Sequence, residues 1–211
     1  MSVKQSLTQK ELLEKACANY QGSVGLALPY LTGRGITEQV AQSARLGVVE
    51  KPEIGHEAYI GRLAIPYITK TGVVDIRFRA LTPDQEPKYM GMPGVKTKLY
   101  NVLDVEKAKD WIAVCEGEID AITLSRCVGI PCVGVAGATS WKPHYTRLLD
   151  DFERVYVYAD GDSAGLQFAR DLIKEGLPVT IIQMPEGQDV NSMYVQEGPV
   201  YLRERMGLDN A

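Results

Sequence analysis

The sequence predicts an α/β protein in two parts: an N-terminal α+β unit over residues 1–105, then a four-stranded, mainly parallel sheet flanked by helices over 106–211. Three observations predict it. From residue 110 onward, strand-like and helix-like stretches alternate, the rhythm of consecutive βαβ units. Before that, residues 59–82 hold two strand-like runs around a turn, preceded by helical stretches. Finally, 211 residues with 45% hydrophobic and 24% charged content are enough to bury one large core or two smaller ones.

Taken in order, residues 7–20 read as a helix, with Thr8 and Glu11 at capping-box spacing. A second helical stretch runs from about Val24 to Leu31 and stops at Gly33-Arg34-Gly35. A third follows Ile36, with Thr37 as its cap, and ends near Gly47. Residues 59–68 and 73–81 are strand-like, with Thr69-Lys70-Thr71-Gly72 as the hairpin turn. In the second of these strands Asp75, Arg77 and Arg79 alternate with Val74, Ile76, Phe78 and Ala80, which predicts one charged face and one buried face. An irregular loop over 87–94 then carries Lys88 and Tyr89.

In the second part, strands are predicted over 111–115, 132–136, 155–159 and 179–184, and helices over 119–127, 143–151, 164–175 and 190–196. The run Val155-Tyr156-Val157-Tyr158 lacks polar alternation, so it predicts a strand buried on both faces. Ser163 is placed to cap the helix after it, and Gly176 to stop that helix.

The net charge of −4 conceals an asymmetry. Residues 1–105 carry 13 Lys and Arg against 10 Asp and Glu, and residues 106–211 carry 10 against 17. A basic part beside an acidic one suits a divided site, with polyanion on one side and cations on the other; solvated surface charge is the plainer alternative. Arg34, between two glycines at a helix end, suits a phosphate or simply the helix terminus. Lys88 and Tyr89 in a basic loop suit single-stranded nucleic acid through phosphate attraction and base stacking, or an ordinary lysine-bearing loop. The four cysteines form no CxxC pair and only His56 and His144 accompany them, so no zinc site is expected in this chain. No apolar run approaches a membrane span and residues 1–20 carry no signal-peptide core. A cytoplasmic protein without a membrane partner is therefore expected.

Two acidic clusters stand one βαβ unit apart. Glu116-Gly117-Glu118-Ile119-Asp120 ends one predicted strand, and Asp160-Gly161-Asp162 ends another. Strand ends of open α/β sheets are where ligand chemistry collects. Glu116, Asp120, Asp160 and Asp162 converging on one crevice would repel one another and take up protons unless cations neutralised them. An all-oxygen donor set points to Mg²⁺ or Mn²⁺, hence to metal-assisted chemistry on a phosphate ester or triphosphate. Glu118 is expected to point elsewhere.

These two clusters resemble the signatures of the TOPRIM domain in the form carried by DnaG-type bacterial and phage primases. The resemblance extends to Tyr30-Leu31-Thr32-Gly33-Arg34-Gly35, to the hairpin from Gly61-Arg62 to Gly72, to Pro87-Lys88-Tyr89 and to Leu99-Tyr100-Asn101, in the family's order. It implies an N-terminal primase-core subdomain over 1–105 and a TOPRIM metal-binding domain over 106–211. It implies that Glu116, Asp160 and Asp162 bind the divalent ions and that Asp120 serves beside them. Arg34, Arg62, Arg77, Arg79, Lys88 and Tyr89 would lie near template or nucleotide. The implied activity is synthesis of short RNA primers from NTPs on single-stranded DNA by two-metal nucleotidyl transfer. A TOPRIM nuclease and a non-catalytic replication adaptor are the alternatives.

The sequence also departs from that pattern. Arg77-Phe78-Arg79 stands where the family has Gly-Gly-Arg, so Arg79 alone matches. A late Asp-Pro-Asp is Asp189-Val190-Asn191 here, which leaves Asp189 as a further candidate ligand. No zinc ribbon or helicase-binding domain is recognised in the 211 residues, which leads to the expectation of a minimal or split phage primase, in the host cytoplasm. Its expected partners are a separate zinc-binding module and a replicative helicase.

Overall fold

The first α-helix, α1 (Leu7–Gln21), runs without interruption through Thr8, so that residue lies inside the helix. A computed structural model describes residues 7–207 of the chain. It divides into two units, Met1–Thr97 and Lys98–Ala211.

In the first unit, α1 is followed by a 3-10 turn over Val24–Ala27 and by α2 (Leu28–Gly33), where a single helical stretch was predicted. Pro29 sits in the first turn of α2, where a missing N–H costs nothing. Thr37 caps α3 (Glu38–Ser43) as predicted, accepting from the Val40 N–H at 3.2 Å. An antiparallel sheet follows in the order β1 (Gly47–Val48), β2 (Leu63–Thr69), β3 (Gly72–Arg79) and β4 (Tyr89–Met90). Thr69 pairs with Gly72 across the predicted turn, and a register shift at Tyr67/Ile68 bends the hairpin. One face of the hairpin packs on α1 through Tyr20, Tyr59, Ile76 and Phe78, with the Tyr59 and Phe78 rings stacked 3.8 Å apart.

The predicted charged face of β3 is not a solvated one. Asp75 and Arg79 are 4% and 5% exposed, and only Arg77 of the three is partly open. The two-residue period holds, but the opposite face of this strand is also covered.

In the second unit the sheet order is β6-β5-β7-β8, with β5 (Trp111–Cys115), β6 (Cys132–Gly134), β7 (Arg154–Ala159) and β8 (Val179–Gln183) all parallel. The strand β7 lies in the sheet interior and buries every residue from Val155 to Ala159, which is why its sequence lacks alternation. Apolar side chains from Ile112, Val157, Phe168 and Leu172 meet in its core.

Helix α5 (Glu118–Ile122) continues as a π-helical turn over Thr123–Val128 and stops at Gly129, whose φ is +84°. The remaining helices are α6 (Pro143–Leu149), α7 (Ser163–Lys174), α8 (Val190–Glu197) and α9 (Pro199–Glu204). The last was not anticipated; it docks through Leu202, whose carbonyl accepts from the Tyr158 hydroxyl at 2.7 Å.

Residues 98–105 pack with this second unit. Tyr100 and Gly134 exchange backbone hydrogen bonds of 2.8 and 3.2 Å. Asp104, at the start of α4 (Asp104–Lys107), is buried and accepts from the Cys132 N–H at 3.2 Å, from Ser125 and from Lys107. Of the four thiols, all free, Cys17, Cys115 and Cys132 are buried.

Candidate active site

The pairing of β5 with β7 brings the two acidic clusters together. Cys115 pairs with Tyr158, so Glu116 and Asp160 leave adjacent strands within a step or two of the last register pair. The Asp160 N–H donates to Glu116 Oε1 at 3.3 Å. Burial pushes the Glu116 carboxyl above its ordinary value of 4.5, and the nearby negative charges of Asp162 and Asp120 add to the shift, while the hydrogen bond from Asp160 opposes it. For Glu116, like-charge repulsion adds to burial, which is the larger cause.

Asp162, rather than Ser163, caps α7: its Oδ1 accepts from the Gly165 N–H at 2.8 Å. Aspartate at this position also meets the positive end of the helix dipole. Two glycines make the turn possible. A Cβ on Gly165 would lie 2.6 Å from both the N and O of Asp160 and 2.7 Å from Glu116 Oε1. A Cβ on Gly161 would lie 1.7 Å from the Pro185 carbonyl oxygen. Gly161 donates to Gln188 O at 2.8 Å and accepts from the Gly187 N–H at 3.0 Å, so the loop before Asp189 is stapled to the Asp160–Asp162 turn.

Asp120 is 8% exposed and accepts from the Asn191 N–H, in the first turn of α8, at 3.0 Å. The Asn191 side chain donates to Thr123 Oγ1 at 2.9 Å, and Thr123 donates to Ile119 O at 2.8 Å. Sequence reading missed this buried Thr123–Asn191 link; the replacement of an acid by Asn191 was its one visible trace. Asp189 caps α8, accepting from the Ser192 N–H at 2.6 Å, while its own N–H is received by Ser192 Oγ at 2.9 Å. Glu118 is buried away from solvent, 1% exposed.

Among the described residues, no three His, Cys, Asp or Glu side chains close into a ready-made ion cage. What the turn offers is an oxygen-only donor set at two neighbouring strand ends, with one carboxyl held above its usual range. That fits a hard divalent ion which keeps several waters and shares itself with substrate phosphates.

The predicted basic residues lie in the first unit, and they differ in their surroundings. Arg62 is 5% exposed and its guanidinium donates to the carbonyls of Pro87 at 2.7 Å and Glu86 at 3.0 Å. It thereby holds the loop that carries Lys88. Arg79 donates to the Tyr89 hydroxyl. Arg77 and Arg79 lie over the Tyr89 ring at 5.1 and 4.8 Å, and Arg34 lies 5.5 Å from the Tyr30 ring centre. Lys88 is exposed.

Comparison with known proteins bears on the family and the fold. Residues 113–194 match a family model described as Toprim-like. The Gene 57 protein of Mycobacterium phage D29 is 46% identical over 153 residues, which cover 70% of this chain and 99% of that protein. The DNA primase of Legionella pneumophila is 25% identical over 241 residues, covering 92% of this chain and 42% of that protein. This chain therefore spans well under half the length of that primase. A solved structure of the DnaG primase catalytic domain bound to ssDNA superposes with a TM-score of 0.80 at 21% identity, covering 95% of this chain and 78% of that one. Among the described residues, no helix is long and apolar enough to cross a membrane.

Proposed function

This chain belongs to the family of the Gene 57 protein of Mycobacterium phage D29 and has the fold of the DnaG catalytic core with its TOPRIM sheet, and from that premise we propose that it is a phage-type primase core. Its reaction is the synthesis of short RNA primers from NTPs on single-stranded DNA. The observation that carries the reading is the pair of acidic turns at the ends of β5 and β7, with Glu116 held by the Asp160 backbone and raised by burial and by its acidic neighbours.

In this reading Glu116, Asp160 and Asp162 hold Mg²⁺ or Mn²⁺. Such ions supply two things when bound: a more acidic attacking hydroxyl and neutralisation of the charge on the leaving pyrophosphate. The chain's own residues do the rest. Asp162 caps α7 with one oxygen, which fixes its carboxylate relative to the strand end. Asp120 and Asp189 bind the first turn of α8 and keep that helix against the acidic turn. Lys88, Arg34, Arg77 and Arg79 attract the phosphates of template and nucleotide, Tyr89 provides a ring for a base, and Arg62 orders the Lys88 loop. A separate zinc-binding module and a replicative helicase complete the proposed assembly.

The test is incubation of the full chain with single-stranded DNA and labelled NTPs, with Mg²⁺ and separately with Mn²⁺. Short labelled RNA that disappears in Asp160→Asn supports the reading. Shortened DNA without RNA product would instead make the chain a metal-dependent nuclease.

A further inference from the structure

Five side chains of the first unit form an alternating file of cations and rings: Arg34, Tyr30, Arg79, Tyr89 and Arg77. The guanidinium carbons of Arg34 and Arg79 lie 5.5 and 5.6 Å from the centre of the Tyr30 ring. Those of Arg79 and Arg77 lie 4.8 and 5.1 Å from the centre of the Tyr89 ring. These residues come from α2, its C-cap, β3 and β4, so the file exists only in the folded chain.

Its middle member is unusual. Arg79 is 5% exposed, and no ion pair among the described residues involves it. Its guanidinium donates to the Tyr89 hydroxyl, and its Nε has no hydrogen-bond partner. A desolvated cation without a carboxylate depends on the faces of the rings around it. The Tyr30 hydroxyl is also buried and has no partner at hydrogen-bond geometry, although its closeness favours the Arg79 cation. The ring of Tyr30 is what joins Arg34 to Arg79 in the file.

We infer that Tyr30 is a positioning residue, whose ring sets the Arg34 and Arg79 guanidiniums for the phosphates of single-stranded DNA. The inference rests on the proposed binding of single-stranded DNA. Removing the ring leaves both charges in place but unfixed, so the effect appears in ordered phosphate binding rather than in net charge.

The test is the binding of a labelled oligothymidylate to the full chain, followed by fluorescence anisotropy across a range of salt concentrations. Tyr30→Leu is expected to weaken binding about tenfold and to flatten the slope of log K against log salt by about 0.7 for each phosphate no longer engaged. Tyr30→Phe, which keeps the ring, is expected to leave both unchanged. In the free protein the Arg79 Nε–H signal is expected to stay protected in Tyr30→Phe and to lose protection in Tyr30→Leu. Should Tyr30→Leu fail to fold, Arg79→Lys carries the test: it keeps the charge, loses the planar face and is expected to flatten the slope in the same way. Wild-type binding and slope in Tyr30→Leu, or in Arg79→Lys, would overturn the positioning role and leave the DNA-binding reading intact. Absence of any binding by the wild-type chain would overturn the DNA-binding reading, and this inference with it.

Discussion

The backbone N–H of Asp160 donates to Oε1 of Glu116 at 3.3 Å, so the end of one strand holds the carboxylate that leaves its neighbour. That bond places two acidic residues side by side in a partly buried corner. The carboxyl of Glu116 is raised by burial and by the charges of Asp162 and Asp120. Glu116→Gln keeps an acceptor oxygen for the Asp160 N–H and removes one charge. In EDTA the variant is expected to unfold at the same temperature as wild type or higher. Primer synthesis with Mg²⁺ is expected to fall at least ~100-fold, the scale seen when one preorganised electrostatic contribution is lost. Thermal melts without metal and a primer assay check the two halves separately, and a less stable variant in EDTA would contradict the repulsion.

Asp162 has an observed role as a helix cap and a proposed one as an ion ligand, and substitutions can separate them. Its Oδ1 caps α7 through the Gly165 N–H at 2.8 Å. Asp162→Asn retains a capping oxygen and is expected to cost little stability. Asp162→Ala loses the cap and is expected to cost about 1 kcal/mol, within the range of roughly 0.5–2 known for N-caps. Both are expected to abolish primer synthesis, which denaturant unfolding combined with activity assays would test. An active Asp162→Asn would remove Asp162 from the ion-binding set.

Gly161 is required by close approach rather than by a left-handed backbone. A Cβ there would meet the Pro185 carbonyl oxygen at 1.7 Å. Gly161→Ala must therefore part the acidic turn from the 185–188 loop and break the two hydrogen bonds that staple them. A destabilisation of about 1–3 kcal/mol is expected, the usual cost of overpacking, together with loss of activity. Chemical denaturation measures the first and a primer assay the second. Near-wild-type stability would mean that the loop yields freely.

His56 gives the fold a pH dependence of known sign. It sits among Tyr20, Tyr59 and Phe78, with ring centres 5.5–5.8 Å away, and its Nδ1 is 2.7 Å from the Tyr20 hydroxyl. Burial lowers its pKa below the ordinary 6.5, against the opposing charges of Glu53 and Glu57. The folded state therefore binds the proton less readily than the unfolded chain. The stability this contributes is complete above pH 6.5 and is lost as pH falls through the lowered folded value. Melting temperatures of wild type relative to His56→Phe, measured from about pH 8 down to about pH 5, should decline over that window. A flat difference would contradict the assignment.

The parallel sheet and its acidic strand ends were legible in the sequence. The uninterrupted apolar run of β7 could only be an interior strand, and Asp160-Gly161-Asp162 follows it directly. The two-residue period of β3 was legible too. What it meant for Asp75 and Arg79 was not, because a period names the face a side chain shares and not what covers that face. Residues 98–105 were grouped with the first part because Tyr100 and Asp104 carry no local sign of their partners, Gly134 and Cys132, which lie far along the chain.

The sequence by itself determined the four parallel strands, the hairpin of β2 and β3 and which carboxylates stand at strand ends, since turn residues and apolar periodicity act over a few neighbours. The tertiary structure decided the tasks of those side chains. It made Asp162 a helix cap, tied Asp120 to the first turn of α8, committed Arg62 to two loop carbonyls and set Arg79 between the rings of Tyr30 and Tyr89. The physical reason is desolvation: once a charged group leaves water its partners determine its role, and those partners arrive from parts of the chain that no local pattern connects.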